Sequence, residues 1–140
     1  MILGPFLFDI YLNDIFYFIN KENLANYADD NTPYAIGDDI ETVLQYLRND
    51  VDTLIHWFEI KYFRMNPDKC KLLVTNKGDN VSIEVDGHNI KGSKSVKLLG
   101  ITIDNRLNFN DHITTIYKKA SLKLHALARV SKFMGKDKEY

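Results

Sequence analysis

Between Ile40 and Phe58 the apolar residues Ile40, Val43, Leu44, Leu47, Val51, Leu54, Ile55 and Phe58 recur three and four positions apart. Only an α-helix brings that spacing onto one face, and so continuous a face must be buried against something. The spacing therefore predicts a long amphipathic helix as the element around which a core forms. Asp38 or Asp39, just after Gly37, offers a side chain able to cap its first amides. Asn66-Pro67 is expected to end it, because the residue before proline is driven out of helical angles.

Either side of that helix the pattern changes. Gly4-Pro5 opens an apolar stretch that reads as one buried helix running to about Asn20, with Asp9, Asn13 and Asn20 on a narrow polar stripe. Asp9 and Asp14 interrupt the stretch and no basic region precedes it, so neither a secretory signal nor a membrane span is expected. Asn23 to Ile36 reads as two short strands, Leu24 to Ala28 and Asn31 to Ile36, meeting at Asp29-Asp30 in a tight hairpin. Beyond Cys70, strands over Leu72 to Thr75, Val81 to Val85 and Val96 to Asp104, with a hairpin turn at Asp86-Gly87, are expected to form an antiparallel meander.

A last helix is expected to start near Asn110 or Asp111. It presents Ile113, Ile116, Tyr117, Ala120, Leu124 and Leu127 on an inward face and gathers Lys118, His125, Arg129, Lys132 and Lys136 on the other. The fold class that follows is α+β: helices packed on an antiparallel sheet with an acidic-tipped β-hairpin, followed by a C-terminal helix. Trp57 and Phe58 read as packing residues of the core, not as a platform for stacked bases.

A length of 140 residues suits one core, and 45% hydrophobic with 26% charged residues excludes a disordered tail or a fibre. The single cysteine, Cys70, excludes a disulfide framework and a Cys-rich zinc module; it reads as a small core hydrophobe in an intracellular chain, cytoplasmic or nuclear. Asn80-Val81-Ser82 matches a glycosylation sequon that carries no weight without a secretory signal. None of His56, His88 and His112 has a partner at metal-ligand spacing. Charge is uneven: residues 1–52 hold ten acids against Lys21 and Arg48, whereas residues 113–140 hold seven bases against Asp137 and Glu139. Such a chain has one end suited to a metal and another suited to phosphates.

Adjacent carboxylates repel, so Asp29 and Asp30 persist at a turn either because both are solvated or because a divalent cation lies between them. Aspartate is a common turn residue, which supports the first reading. The apolar flanks Leu24, Ala25, Tyr27 and Ala28, then Tyr34, Ala35 and Ile36, support the second by holding the tip in place. Mg²⁺ suits such a tip because it keeps several waters and takes one or two carboxylates. A calcium loop is excluded, since Pro33 stands where a ligand belongs and no glycine follows at the sixth position.

Tyr27-Ala28-Asp29-Asp30 resembles the tyrosine-any-aspartate-aspartate block of reverse transcriptases, and the order of the surrounding blocks resembles the enzymes of non-LTR (LINE-like) retrotransposons. Upstream, Ile2-Leu3-Gly4-Pro5-Phe6-Leu7-Phe8 with Tyr11-Leu12-Asn13-Asp14-Ile15 is similar to the helix before that hairpin. Downstream, Trp57 and Met65-Asn66-Pro67-Asp68-Lys69-Cys70-Lys71 are similar to the next block. Val96-Lys97-Leu98-Leu99-Gly100-Ile101-Thr102-Ile103-Asp104, with Leu107, Phe109, His112 and Ile113, is similar to the primer grip and the start of the thumb.

The resemblance implies a partial polymerase palm over residues 1–109 and the beginning of a helical thumb over residues 110–140. It implies RNA-directed DNA polymerase chemistry, with Asp29 and Asp30 as catalytic and metal-binding residues and Mg²⁺ or Mn²⁺ as cofactor. Tyr27 and Lys69 would bind substrate, Lys69 as proton donor to the leaving pyrophosphate or merely as a solvated turn residue. Leu99-Gly100 would form the primer-grip turn or a glycine bulge, and Lys118, Arg129 and Lys132 would meet nucleic acid or form a solvated helix face. The implied partners are an RNA template, a DNA primer and a dNTP, with no membrane and no disulfide partner.

The resemblance also exposes two departures. The family's third metal-binding aspartate lies upstream of the residue that aligns with Met1, so the chain is expected to be a truncated copy, inactive alone. Pro33 stands where the family has a residue with an amide, implying either an edge strand or a decayed copy. Two alternatives remain open: a non-catalytic nucleic-acid-binding module derived from a retroelement, and an unrelated α+β domain with a solvated acidic turn.

Overall fold

The computed structural model describes residues 3–19, 23–76 and 81–131 and is an α+β chain of helices and short antiparallel strands. It divides into two compact units, Met1–Leu72 with Asn80–Lys91 and Leu73–Asp79 with Gly92–Tyr140.

The first unit is built on the helix that the apolar spacing predicts. This helix, α3, spans Ile40–Ile60, and Asp39 caps it by accepting from the Thr42 amide and the Thr42 hydroxyl, each at 2.8 Å. A Cβ on Gly37 would lie 2.8 Å from Val43 Cγ2, so the approach to the helix needs a glycine. Leu54 and Trp57 of α3 join Leu12, Ile15, Ile19 and Leu24 in a buried cluster, with Phe8, Phe16, Phe58 and Phe63 packed against it.

Helix α3 ends earlier than Asn66-Pro67. Tyr62 adopts φ 58°, the Tyr62 amide bonds to the Glu59 carbonyl at 3.1 Å, and the Phe63 amide bonds to the Phe58 carbonyl at 2.8 Å. That is a Schellman ending with tyrosine where glycine is usual, and its apolar contact is the edge-on packing of Phe58 on Phe63 at 6.4 Å. Pro67 instead opens a 3₁₀ turn, Pro67–Lys69, whose Asp68 amide is capped by the Asn66 side chain at 3.1 Å.

The expected first helix is two helices, α1 (Leu3–Leu12) and α2 (Ile15–Phe18). The break at Asn13-Asp14 turns the Asp14 carboxylate onto Trp57 and Lys61. Nor is α1 buried as a whole: Leu3, Phe6, Leu7 and Ile10 form an exposed stripe, Phe8 is half-buried against the core, and only Leu12 is fully covered. After α2 comes a hairpin of β1 (Leu24–Tyr27) and β2 (Asp30–Pro33). The short β3 (Leu72–Leu73) precedes β4 (Ser82–Val85) and β5 (His88–Ser93). Strands β4 and β5 pair from Ser82↔Lys91 to Val85↔His88 around the expected turn, where Asp86 and Gly87 both have positive φ. Asn20 and Asn80 lie outside the described residues.

In the second unit the single strand expected over Val96 to Asp104 is a hairpin. β6 (Ser95–Leu98) pairs with β7 (Ile101–Asp104) around Leu99-Gly100, whose φ values of 47° and 87° are those of a two-residue turn between twisted strands. Helix α4 spans Asn110–Val130. Its apolar stripe is not an inward face: none of its residues is buried, and Tyr117 is 72% exposed. The Thr102 amide donates to His112 Nδ1 at 3.3 Å, which fixes the start of α4 against β7.

Candidate functional site

The acidic hairpin is anchored at its base and free at its tip. Leu24 enters the core, and the Asn23 side-chain amide donates to Asp50 Oδ2 on α3 at 3.2 Å. The register runs Leu24↔Pro33, Ala25↔Thr32, Asn26↔Asn31 and Tyr27↔Asp30. The turn is therefore Ala28-Asp29, one residue before the expected Asp29-Asp30, and Asp30 opens the return strand. Ala28 makes this possible by adopting φ 52°. Because side chains alternate along a strand, Tyr27 and Asp30 share the face opposite to that of Leu24.

The same register explains Pro33. The Tyr34 amide bonds to the Asn23 carbonyl at 2.9 Å, so Asn23 and Tyr34 form a hydrogen-bonded pair. Pairs alternate, which makes Leu24↔Pro33 a non-hydrogen-bonded one. The missing N–H of Pro33 points away from β1, and the hairpin loses nothing by it.

At the tip Tyr27, Asp29 and Asp30 are all exposed, Tyr27 at 66%. Beneath them, Asn26 Nδ2 donates to Asn31 Oδ1 at 2.7 Å and to the Ala28 carbonyl at 3.2 Å, while Asn31 Nδ2 reaches the Asp29 carbonyl at 3.4 Å. Two neighbouring carboxylates fit the modest demand that Mg²⁺ makes on protein oxygens. No group of three or more His, Cys, Asp or Glu side chains placed to share a cation occurs among the described residues.

Lys69 belongs to the same unit as the hairpin and is exposed on the 3₁₀ turn. Its neighbour Cys70 is half-buried, not a core residue. Its thiol lies 3.6 Å from the Asn66 carbonyl, and burial pushes it above the ordinary thiol value against the opposing pull of Lys71. Leu99, Gly100, Lys118 and Arg129 belong to the other unit, the last two exposed on α4; Lys132 lies outside the described residues. An open cleft of about 630 Å³ lies between the polar face of α3 and the β4–β5 turn, lined by Arg48, Asp52, His56, Glu59, Glu84 and Asp86 among others. None of the residues nominated from sequence lines it.

Three residues escaped the sequence reading. Asn26 and Asn31 stand at equal distances from Ala28-Asp29, a symmetry that shows only once the turn is placed there. Asp104 organises the entry to α4 by accepting from the amides of Arg106 at 3.0 Å, Asn108 at 3.1 Å and Phe109 at 2.6 Å. These bonds, that from Asn108 first, hold its carboxyl below the ordinary aspartate range. Its signal was an aspartate at a strand end before a polar turn, which sequence alone cannot tell from a solvated one.

Residues 1–103 match the reverse transcriptase (RNA-dependent DNA polymerase) family, and the chain belongs to it. It is 27% identical over 88% of its length to the RNA-directed DNA polymerase from mobile element jockey of Drosophila melanogaster, covering 14% of that protein. It is 26% identical over 90% of its length to the probable RNA-directed DNA polymerase from transposon BS of the same organism, covering 15% of it. The chain thus spans about one seventh of the length of these retroelement relatives. No solved structure gives a significant match.

Proposed function

We propose that this chain supplies the cation-binding hairpin and adjoining palm of an RNA-directed DNA polymerase, followed by the first helix of its thumb. The observation that carries the reading is the register of β1 and β2, which sets Asp29 and Asp30 at the exposed end of a ladder rooted in the core. That end bears the Tyr27-Ala28-Asp29-Asp30 block. Asp29 and Asp30 are the residues that would hold Mg²⁺ or Mn²⁺. The ions of such enzymes stabilise the attacking and leaving oxygens of in-line phosphoryl transfer.

The remaining roles are those that the likeness to reverse transcriptases implies. Tyr27, on the same face as Asp30, would pack against an incoming dNTP, and the exposed Lys69 ammonium would offer a proton to its leaving pyrophosphate. The Leu99-Gly100 turn would contact the primer, and Lys118, Arg129 and Lys132 would meet phosphates of the RNA template and DNA primer, giving a salt-sensitive affinity. Palm over residues 1–109, thumb over 110–140 and an intracellular location belong to the same reading.

Two carboxylates bind one cation adequately and two poorly, so the chain by itself is not expected to polymerise. The test is Mn²⁺ titration of the ¹⁵N-labelled 140-residue chain. Selective paramagnetic broadening at the Asp29 and Asp30 amides, lost in Asp29→Asn with Asp30→Asn, supports the reading. Uniform broadening, indifferent to those substitutions, removes it. Primer extension by the purified chain that the same substitutions abolish would overturn the inactivity and keep the site.

A further inference from the structure

The two turn residues of the acidic hairpin, Ala28 and Asp29, each have their carbonyl engaged by a side-chain amide from the strand below. Asn26 Nδ2 donates to the Ala28 carbonyl at 3.2 Å, and Asn31 Nδ2 donates to the Asp29 carbonyl at 3.4 Å. The two amides are joined by the 2.7 Å bond from Asn26 Nδ2 to Asn31 Oδ1. They can meet because Asn26↔Asn31 is a non-hydrogen-bonded pair, in which opposed side chains stand closest. Both side chains are half-buried and share the face of Leu24, so the linkage lies on the anchored side of the hairpin.

This arrangement does something that a plain cross-strand pair does not. Ala28 is held at φ 52°, a left-handed conformation that is unfavourable for an L-residue. The next two residues carry like charges that repel one another. Both effects tend to loosen the turn in the absence of a cation, and a loose turn must be ordered when the cation arrives, which weakens binding. The Asn26–Asn31 pair opposes that loosening by tying the turn backbone to the ladder, leaving both carboxylates free for a ligand.

We propose that Asn26 and Asn31 are positioning residues for the divalent cation held by Asp29 and Asp30. This rests on the cation-binding reading given above. The amides touch no cation; they act through the turn. Removing either donor is expected to weaken cation affinity about tenfold, the lower end of what loss of an outer-shell partner costs.

The test uses the full 140-residue chain with Asn26→Thr and Asn31→Thr. Threonine suits a strand and cannot span to the turn carbonyls as the amides do, so the ladder should survive. Protection of the Ala25 and Thr32 amides from exchange, and an unchanged Tm, report that it has. The proposal expects the heteronuclear ¹⁵N relaxation of Ala28 and Asp29 to show a looser turn, and the Mn²⁺ concentration that half-broadens Asp29 and Asp30 to rise about tenfold. Equal Mn²⁺ midpoints in parent and variants with protected ladders overturn the proposal and leave the cation site standing. If the parent shows no selective Mn²⁺ broadening, the cation-binding reading fails and this one fails with it. Should Asn26→Thr melt the hairpin, Asn26→Ser and Asn31→Ser carry the same comparison.

Discussion

Trp57, with no exposed surface, donates its indole N–H to Asp14 Oδ1 across 3.2 Å. The other oxygen of that carboxylate holds the Lys61 ammonium at 2.6 Å, which in turn lies 4.5 Å above the Tyr11 ring. The Tyr11 hydroxyl closes the circuit by donating to the Lys61 carbonyl at 3.2 Å. One carboxylate thus joins the α1–α2 break to the last turn of α3. Asp14→Ala leaves a buried N–H unpaired and is expected to cost about 2 kcal/mol. Asp14→Asn keeps an oxygen for Trp57 and loses only the ion pair, so about 1 kcal/mol is expected. Urea midpoints at constant slope decide it; equal losses for both would show that the indole bond contributes nothing.

Tyr62 closes α3 at φ 58° while 95% exposed, so its side chain gains little burial for the strain it accepts. Glycine is the residue this position favours. Tyr62→Gly is expected to stabilise the chain by roughly 0.5–1 kcal/mol, the relief of a left-handed residue less the entropy that glycine adds to the unfolded chain. Tyr62→Ala, which keeps the strain, should change little. A lower urea midpoint for the glycine variant would contradict the assignment.

These two sites show what the sequence could and could not disclose. The face of α3 was legible because eight apolar positions at helical spacing have one common solution. The Asp86-Gly87 turn was legible because few dipeptides accept two positive φ angles. The end of α3 was not: Tyr62 carries no glycine signal, and Asn66-Pro67 supplied a stronger but false one. The tip of the acidic hairpin was not legible to the residue, because either pair around Asp29 makes an acceptable turn from composition alone. Only Leu24 in the core and the pairing of Tyr27 with Asp30 select Ala28-Asp29. The inward face expected of α4 failed because periodicity identifies a stripe without identifying what covers it.

Asp104 offers a test by pH. Its carboxyl lies below the ordinary value of 3.8 because the amides of Asn108, then Phe109 and Arg106, stabilise the anion. A depressed folded-state value contributes stability that is present above the unfolded-state value and is lost as pH falls through the folded one. The loop entering α4 should therefore hold at pH 5 and loosen only below pH 3.8. The Asn108 and Phe109 amide shifts are expected to titrate together with a midpoint under 3.8, and Asp104→Asn should abolish that step. Independent midpoints, or a shared one at or above the ordinary value, would sink the account.

Pro33 separates two meanings of an unusual residue. On a hydrogen-bonded position it would break the hairpin, and its presence would mark decay. It stands instead on the non-hydrogen-bonded side of β2, whose only partner strand among the described residues is β1. There it removes a donor from an open edge, which is how sheets avoid pairing with the wrong chain. Pro33→Thr restores that donor and leaves the β1–β2 ladder intact, so monomer stability should move by no more than about 0.5 kcal/mol. Self-association should nevertheless begin at lower protein concentration, visible as a concentration-dependent sedimentation coefficient that the parent lacks in the same range. Identical sedimentation for the two chains would show that the edge of β2 is protected by something other than its proline.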